Sequence, residues 1–393
     1  ISNLKLRASY GFTGNTEIGV YESLATLGTS NWILGNQLVS GFFPNKIPNP
    51  DLKWERTGQF DIGLDLGLFN NRVRITTDYY KKKTTDLLYS VAVPATSGYQ
   101  TMLKNIGSIE NQGYELSIES DNLTGPFSWT TAFNISFNRN KVLELGGEDY
   151  KEMAEGDGHI KTGSVRRLIA GEPIGVFYGY RFDGIFQNEE ECKQQTSSAS
   201  PIGVGLRRYK DLNGDGKVDA ANDREILGDA NPKFFGGLTN TFAYKGFELN
   251  VFLQYSYGNK ILNYNAMELE NPTGGQNAYA DMVNRWTPEN PSNIYPKATT
   301  NRAILASDRF IEDGSYLKLK TLSLSYSFPK INMKHIQGLR LYVTGQNLLT
   351  WTKYRGYDPE VSYRGASTLE AGEDFGGYPQ SRTFMFGVKL DIK

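Results

Sequence analysis

A run of oxygen-bearing side chains between residues 211 and 223 has the clearest chemical pattern in this chain. Carboxylate and amide groups occupy positions 1, 3, 5 and 9 of the run, and Gly216 occupies position 6, where a calcium loop of the EF-hand kind makes its sharp turn. A ligand set made only of oxygen atoms favours Ca²⁺ over zinc. The predicted ligands are Asp211, Asn213, Asp215, the backbone carbonyl of Lys217, Asp219 and Asp223.

The predicted calcium loop departs from a complete EF-hand in two ways. Position 12 is Asn222 instead of the usual bidentate glutamate, so we expect the nearby carboxylate of Asp223 to replace it. No flanking helix is evident from the sequence. The alternative is a turn rich in Asp, Asn and Gly that needs no metal. If Ca²⁺ binds, it would make the loop rigid and would have no catalytic role.

Aromatic side chains in the polar, irregular segments are candidates for ligand contact. Their rings could stack on sugar rings or on peptide side chains. Each of them is also typical of a membrane-interface aromatic or of ordinary loop packing, and the sequence leaves these alternatives open. The candidates are Tyr264, Tyr279, Trp286, Tyr295, Trp351 and Tyr354.

An enzymatic function is not expected from the sequence. The two histidines, His159 and His335, have no serine or cysteine nucleophile motif beside them. The single cysteine, Cys192, excludes a disulfide within the chain.

The 42 Lys and Arg residues nearly balance the 43 Asp and Glu residues, so no nucleic-acid partner is expected. The basic run Lys81–Lys83 could meet lipopolysaccharide phosphates or could be a solvated face near the outer rim.

The segments that must position these side chains alternate with a period of two residues. In Phe247–Tyr257 one parity is apolar and ends in tyrosines, and the other parity is mostly polar. This alternation predicts a β-strand with one apolar and one polar face. Tyrosines at the end of the apolar face are typical of an outer-membrane strand that reaches the lipid headgroups. With the segment before Lys245, it is predicted to form a tight hairpin that begins at Phe234.

About twelve such strands are predicted, and the pair between Val176 and Tyr209 is the least regular. A soluble β-sandwich or propeller would also alternate. The strands here are long, at ~10 residues, and their polar faces are rich in Ser, Thr, Asn and Gln, which suits a water-filled lumen. The sequence contains no run of about 18 apolar residues, so a transmembrane helix is not expected. The predicted fold class is therefore all-β, an antiparallel transmembrane β-barrel.

Short and long connections alternate along the chain, as in barrels with short periplasmic turns and long external loops. The calcium-type loop at 211–223 then lies within an extracellular connection. The turns predicted to be periplasmic lie near Asn70, Leu123, Lys245 and Lys334. The connections predicted to be extracellular contain Pro44, Gly98, Lys151, Asp215, Trp286 and Asp358.

The chain begins at Ile1, directly before a strand and without a signal peptide. Because a barrel protein must be exported, we expect these residues to be part of a longer protein. Unpaired strand edges are not tolerated in hydrocarbon. The edge strands near Leu6 and Val388 are therefore expected to pair with further chain rather than with each other.

Six short motifs are spread over almost the whole chain. They are Asn49–Glu55 (NPDLKWE), Asn105–Glu115 (NIGSIENQGYE), Asp211–Asp219 (DLNGDGKVD), Gly228–Pro232 (GDANP), Phe242–Leu249 (FAYKGFEL) and Gly345–Leu349 (GQNLL). In this order they resemble the SusC/RagA family of TonB-dependent transporters in the outer membrane of Bacteroidetes-type bacteria. Several such motifs in the right order make the resemblance specific.

The resemblance implies that residues 1–393 are the C-terminal part of a barrel of about 22 strands. The family's plug, TonB box and early strands are absent from this sequence. The implied function is import of an oligosaccharide or a peptide, with a SusD-like surface lipoprotein as lid and the TonB complex as partner. A non-transporting barrel that acts as an anchor or adhesin is the alternative, and a plug and TonB box would exclude it. One departure is the end at Ile392–Lys393, since such barrels usually finish on an aromatic residue.

Overall fold

The structure is a computed structural model of the 393-residue chain. The turn predicted near Lys334 and both histidines lie outside the described residues. Within the described part of the chain, no helix is long and apolar enough to cross a membrane. The structure describes residues 1–15, 19, 21–99, 101–153, 160, 163–271, 277–300, 304–328, 336–361, 363–365, 367 and 369–392.

Ten strands form one antiparallel sheet, in which each strand pairs with its neighbours along the chain. The first and last strands do not pair with each other within the described residues, so the sheet is open, as the sequence predicted. The strands are β1 (Asn3–Asn15), β2 (Glu55–Leu68), β3 (Val73–Thr85), β4 (Ser108–Leu123), β5 (Phe127–Glu144), β6 (Phe234–Tyr244), β7 (Phe247–Tyr257), β8 (Tyr316–Ser327), β9 (Ile336–Thr352) and β10 (Thr383–Ile392).

The register gives the sheet one apolar and one polar face. In the β7–β8 pair, Val251 lies opposite Leu322, while the neighbouring Asn250 lies opposite Ser323. The β6–β7 hairpin turns at Lys245 and Gly246, whose φ angles of 47° and 88° are both positive, as a type I′ hairpin turn requires. Matched parities across neighbouring strands keep most of the apolar side chains of the sheet on the same side, which we call the apolar face.

The predicted pair of barrel strands between Val176 and Tyr209 is wrong. The structure forms only short strands there, and they pair outside the ten-stranded sheet, because these segments lack the long alternation that a spanning strand needs. The short paired strands are Val176–Gly179 with Glu225–Asp229, Phe182–Ile185 with Arg207–Tyr209, Tyr150–Glu152 with Arg167–Ile169, and Thr196–Ser197 with Lys217–Val218.

The other long connections also contain secondary structure of their own. Two hairpins were not predicted, Thr26–Leu34 with Gln37–Lys46 and Leu88–Ala92 with Thr101–Asn105. A three-stranded sheet joins Lys260–Asn263 to Ile311–Asp313 and Glu373–Asp374. The helices are α1 (Glu189–Gln194), α2 (Tyr264–Leu269) and the 3₁₀ turns Ala95–Ser97, Ala280–Asn284 and Asp308–Phe310.

The hydrophobic core lies in the connections and not in the sheet. Among the buried hydrophobic side chains of the described residues, Val142 alone belongs to the ten strands. The main cluster packs residues of connection 145–233 against residues of connection 258–315, and Phe375 of connection 353–382 packs on it. We call these three connections the loop layer. Because the three connections share one hydrophobic cluster, they fold together and are not independent surface loops.

Candidate functional site on the polar face

The last long connection docks on the polar face of β7 and β8. The ammonium of Lys318 lies 2.6 Å from Asp358 Oδ1 and is almost fully buried. Glu360 Oε1 accepts a hydrogen bond of 3.0 Å from Gln254 Nε2. These contacts place connection 353–382 over the inner, polar side of the sheet, where a ligand entering a barrel lumen would pass.

Glu360 is held in its charged form by its neighbours. Burial alone would raise the pKa of its carboxyl, but the hydrogen bonds and charges of Lys318 and Lys320 outweigh burial and lower this pKa from the ordinary value of 4.5. Lys320 is able to reach Glu360, at 3.1 Å, because it is the extra residue of a β-bulge opposite Phe252 and Leu253. The sheet and the connection are thus joined by an ionised cluster.

A buried ion pair fastens two parts of the loop layer that are far apart in sequence. Arg166 Nε lies 2.7 Å from Glu373 Oε1, and the two side chains are only 2% and 3% exposed. The Arg166 guanidinium also stacks on the Phe177 ring, 4.3 Å from its centroid. Beside this pair, the amide of Leu262 donates to the carbonyl of Gly372 over 2.8 Å. The ion pair and this backbone hydrogen bond together link all three connections.

A second ion cluster surrounds the buried carboxylate of Glu270. Arg309 Nη2 lies 2.9 Å from one carboxylate oxygen, and Arg355 Nη1 lies 2.8 Å from the other. Arg355 also pairs with Glu312, at 2.8 Å. A buried carboxylate is tolerated only when it is paired and hydrogen-bonded, and here two guanidinium groups meet that need.

Three of the predicted ligand aromatics have packing roles in this structure. Tyr264 is fully buried in the main hydrophobic cluster. Tyr354 is also buried and donates to Asp374; burial, followed by this bond, raises the pKa of its hydroxyl above the usual range. Trp351 lies opposite Leu317 on the apolar face and is 51% exposed there, as an interface aromatic would be. Ligand contact at Tyr264, Trp351 and Tyr354 stays a prediction of the sequence.

The remaining three predicted aromatics are partly exposed. Trp286 Nε1 donates to Gln187 Oε1 over 3.0 Å, and Tyr295 donates to Asp281 Oδ2 over 3.2 Å. Tyr279 packs against the main hydrophobic cluster. The structure does not gather the six aromatics into one surface, so Tyr279, Trp286 and Tyr295 stay individual predictions for ligand contact.

The carboxylates of the predicted calcium loop accept hydrogen bonds from the backbone of the loop itself. The two oxygens of Asp211 accept from the amides of Gly214 and Gly216, both at 2.7 Å. Asp223, which is fully buried, accepts from Leu212 and Asp219, also at 2.7 Å. In the part of the chain that the structure describes, no three acidic, histidine or cysteine side chains converge as a metal site would need. Calcium binding by this loop therefore stays a prediction of the sequence alone. The same holds for the other predicted ligands, Asn213, Asp215 and Lys217.

The calcium prediction is tested by hydrogen exchange on the complete protein. Millimolar Ca²⁺ added after chelation should slow exchange at the amides of residues 211–223, with an affinity on the order of 10⁻⁴–10⁻³ M. Asp215→Ala should abolish the slowing, and Asp183→Asn, in the same connection but outside the loop, should not. Equal exchange rates with and without Ca²⁺ would refute calcium binding and support the alternative, a turn that needs no metal.

An apolar cavity that the sequence did not predict lies where the loop layer meets the polar face of β4 and β5. Its volume is about 250 Å³, and Ile109 and Val142 form its floor. Both residues occupy positions of the polar parity: Ile109 lies opposite Thr84 of β3 on one side and opposite Val142 of β5 on the other. Two apolar residues at polar positions interrupt the alternation, and this is the sequence signal that could have revealed the cavity. The ammonium of Lys151 lies at the cavity, 3.3 Å from the centroid of the Tyr89 ring. The other apolar lining residues include Leu87, Leu88, Ile106, Leu145, Leu168, Ile174 and Leu369.

Comparison with known proteins identifies relatives along nearly the whole chain. Residues 1–348 match the family described as TonB dependent receptor-like, beta-barrel. The TonB-dependent receptor P3 of Formosa agariphila is 41% identical over 99% of this chain and 39% of its own length. The TonB-dependent receptor SusC of Bacteroides thetaiotaomicron is 30% identical over 100% of this chain and 38% of its own length.

The same relationship is seen in solved structures. The RagAB peptide transporter superposes with a TM-score of 0.79 at 28% identity, over 99% of this chain and 41% of the matched chain. This chain thus spans about two fifths of the length of the relatives it matches. The barrel fold, the outer-membrane location and the resemblance to SusC and RagA that the sequence predicted are confirmed. The chain belongs to the TonB-dependent receptor β-barrel family of the outer membrane.

Proposed function

We propose that the complete protein is a TonB-dependent importer of a nutrient oligomer, and that this chain supplies part of its barrel wall and a folded loop layer above the lumen. The observation that carries the proposal is the docking of connection 353–382 on the polar face, through Lys318 and Glu360. A barrel that only anchors the cell surface has no need of a folded, ion-paired body on its inner face. The relatives, named TonB-dependent receptors, support the same function.

The proposed partners are a SusD-like surface lipoprotein that acts as lid and the TonB complex, which would act through a part of the protein outside these residues. The lid is supported by the similarity to a transporter named as the pair RagAB. The loop layer supports it too, because buried ion pairs and a hydrophobic core keep its outer surface in one shape. A surface of fixed shape lowers the entropic cost of docking a partner.

For the substrate we favour an oligopeptide over an oligosaccharide. The cavity on the polar face is lined almost entirely by apolar side chains, which suit a Leu- or Phe-like side chain better than a sugar hydroxyl. Its volume of about 250 Å³ is enough for one side chain and not for a whole ligand. Lys151 at the cavity supplies a cation for a peptide carboxylate. The structure named a peptide transporter agrees with this choice.

The test is uptake and binding of labelled oligopeptides and oligosaccharides by the complete transporter, in cells with and without TonB. We expect TonB-dependent uptake of peptides. Val142→Trp, which fills the cavity, should weaken peptide binding roughly tenfold or more. Ile135→Trp, on the apolar face of the same strand, is the matched control and should bind normally.

Each outcome decides a different part of the proposal. Uptake of oligosaccharides alone would refute the peptide substrate and leave import intact. No uptake of either class, with the protein folded in the membrane and its partners present, would refute import and favour the anchor or adhesin.

A further inference from the structure

The apolar face carries a group of basic side chains at the end of the sheet next to the long connections. Across β2–β5 one row of paired residues contains Lys81 and Arg139, and the next row contains Lys83 and Lys141. Arg56 lies one row further toward the connections. All five residues are exposed. We call them the cationic patch.

The cationic patch is not cancelled by acidic side chains on the same face. Glu110 lies in the row of Lys83 and Lys141 and forms an ion pair of 3.0 Å with Lys81. Arg139 donates to the carbonyl of Lys233 over 2.9 Å, which leaves its charge uncompensated. Among the described residues no side chain pairs with Lys83 or Lys141. Five cations against one carboxylate leave a strong local excess of positive charge.

Aromatic side chains of β1 and β2 lie beside the patch, at the same depth as its cations. Tyr10 and Phe60 share a row with Lys81, and Phe12 shares a row with Lys83. A groove of about 460 Å³ runs between these rings and three of the cations, Arg56, Lys81 and Lys83. The Arg56 guanidinium lies over the Phe12 ring, 4.0 Å from its centroid, which keeps the cation at the edge of the groove.

The position of the patch on the sheet decides what it can meet. The apolar face contacts lipid, and the end with the long connections is the external end in barrels of this kind. At the opposite end of the strands, the described positions on the apolar face carry no Lys or Arg. The cations therefore lie at the depth of the outer-leaflet headgroups, which in a bacterial outer membrane are phosphorylated sugars with several acyl chains.

We propose that the cationic patch binds a phosphorylated glycolipid of the outer leaflet, with phosphates on Arg56, Lys83 and Lys141 and acyl chains along the aromatic groove. Lys82, the middle residue of the basic run, faces the lumen and takes no part, because its side chain has the polar parity. The site rests on the outer-membrane location and is independent of what the protein transports.

The test uses the complete transporter in detergent and fluorescently labelled lipopolysaccharide, titrated by anisotropy. Arg56→Gln/Lys83→Gln/Lys141→Gln should weaken binding about tenfold or more, because each cation near an anionic surface contributes attraction. The control Lys5→Gln/Lys82→Gln/Lys389→Gln removes the same charge from the polar face and should bind like the unmodified protein. Lys83→Gln alone should cause a smaller loss of affinity for lipopolysaccharide. This single variant tests the site if the triple variant does not fold.

Two further arms identify what is bound. Enzymatically dephosphorylated lipopolysaccharide should bind the unmodified protein as weakly as it binds the triple variant. Millimolar inorganic phosphate should not displace labelled lipopolysaccharide, because it lacks the acyl chains. Equal weakening by the polar-face control, or displacement by inorganic phosphate, would overturn the glycolipid site.

Discussion

Val251→Arg should prevent assembly of the complete barrel, whereas Asn250→Arg, one residue away, should be tolerated. Val251 lies in the middle of β7 on the apolar face, opposite Leu322 of β8. An arginine on the lipid side of a barrel costs about 2–4 kcal/mol at the bilayer midplane. Asn250 lies opposite Ser323 on the polar face, where water can solvate a guanidinium.

The measurement is the fraction of protein that migrates as a folded barrel on an unheated gel, followed by urea titration of the folded fraction. Asn250→Arg also removes a hydrogen bond of 2.9 Å to Thr241, so a small loss of stability is expected from that variant. Equal folded fractions for the two variants would contradict the assignment of the apolar face to lipid.

Arg166→Met should open the loop layer while leaving the barrel assembled. The substitution leaves the buried carboxylate of Glu373 without its closest cation, and breaking a buried ion pair in this way costs about 3–5 kcal/mol. Hydrogen exchange at Leu262, whose amide donates to Gly372, should accelerate about a hundredfold or more. Exchange in β7 should not change.

The double variant Arg166→Met/Glu373→Met separates the ion pair from simple packing. With both charges removed, no buried carboxylate is left unpaired, and apolar replacement of a buried pair is often close to neutral. Arg364, which lies 3.5 Å from Glu373, is 29% exposed and can turn to water. Exchange at Leu262 should therefore return toward the value of the unmodified protein. If the double variant opened as far as Arg166→Met alone, the packing of Arg166 on Phe177 would be the dominant contribution.

The membrane-spanning part of the fold could be predicted from sequence because lipid and water impose a strict period on each strand. The alternation in Phe247–Tyr257 was enough to place β7, its two faces and the turn at Lys245. All ten strands of the sheet were expected for this reason. The error between Val176 and Tyr209 arose where the sequence alternates over only a few residues, so that a soluble short strand has the same signature as part of a spanning one.

The loop layer could not be predicted, because its interactions are not local. Arg166 and Glu373 are 207 residues apart, and neither lies in a segment with a clear period. Burial also decides which aromatics are available: Tyr264 and Tyr295 have the same residue type and similar polar surroundings in sequence, yet only Tyr264 is part of the core. The cavity has one signal in the sequence, which is the presence of the apolar residues Ile109 and Val142 at positions of the polar parity.

The location of the hydrophobic core in the loop layer has a consequence for how the protein reaches its final topology. Long connections are external in such barrels, so the core that joins connections 145–233, 258–315 and 353–382 can assemble only on the external side of the membrane. Once Phe310 packs on the far side, pulling any one connection back would require unfolding the whole layer. We therefore expect the folded layer to hold the inserted sheet in the membrane, because withdrawal of a strand would also require unfolding a hydrophobic core on the external side.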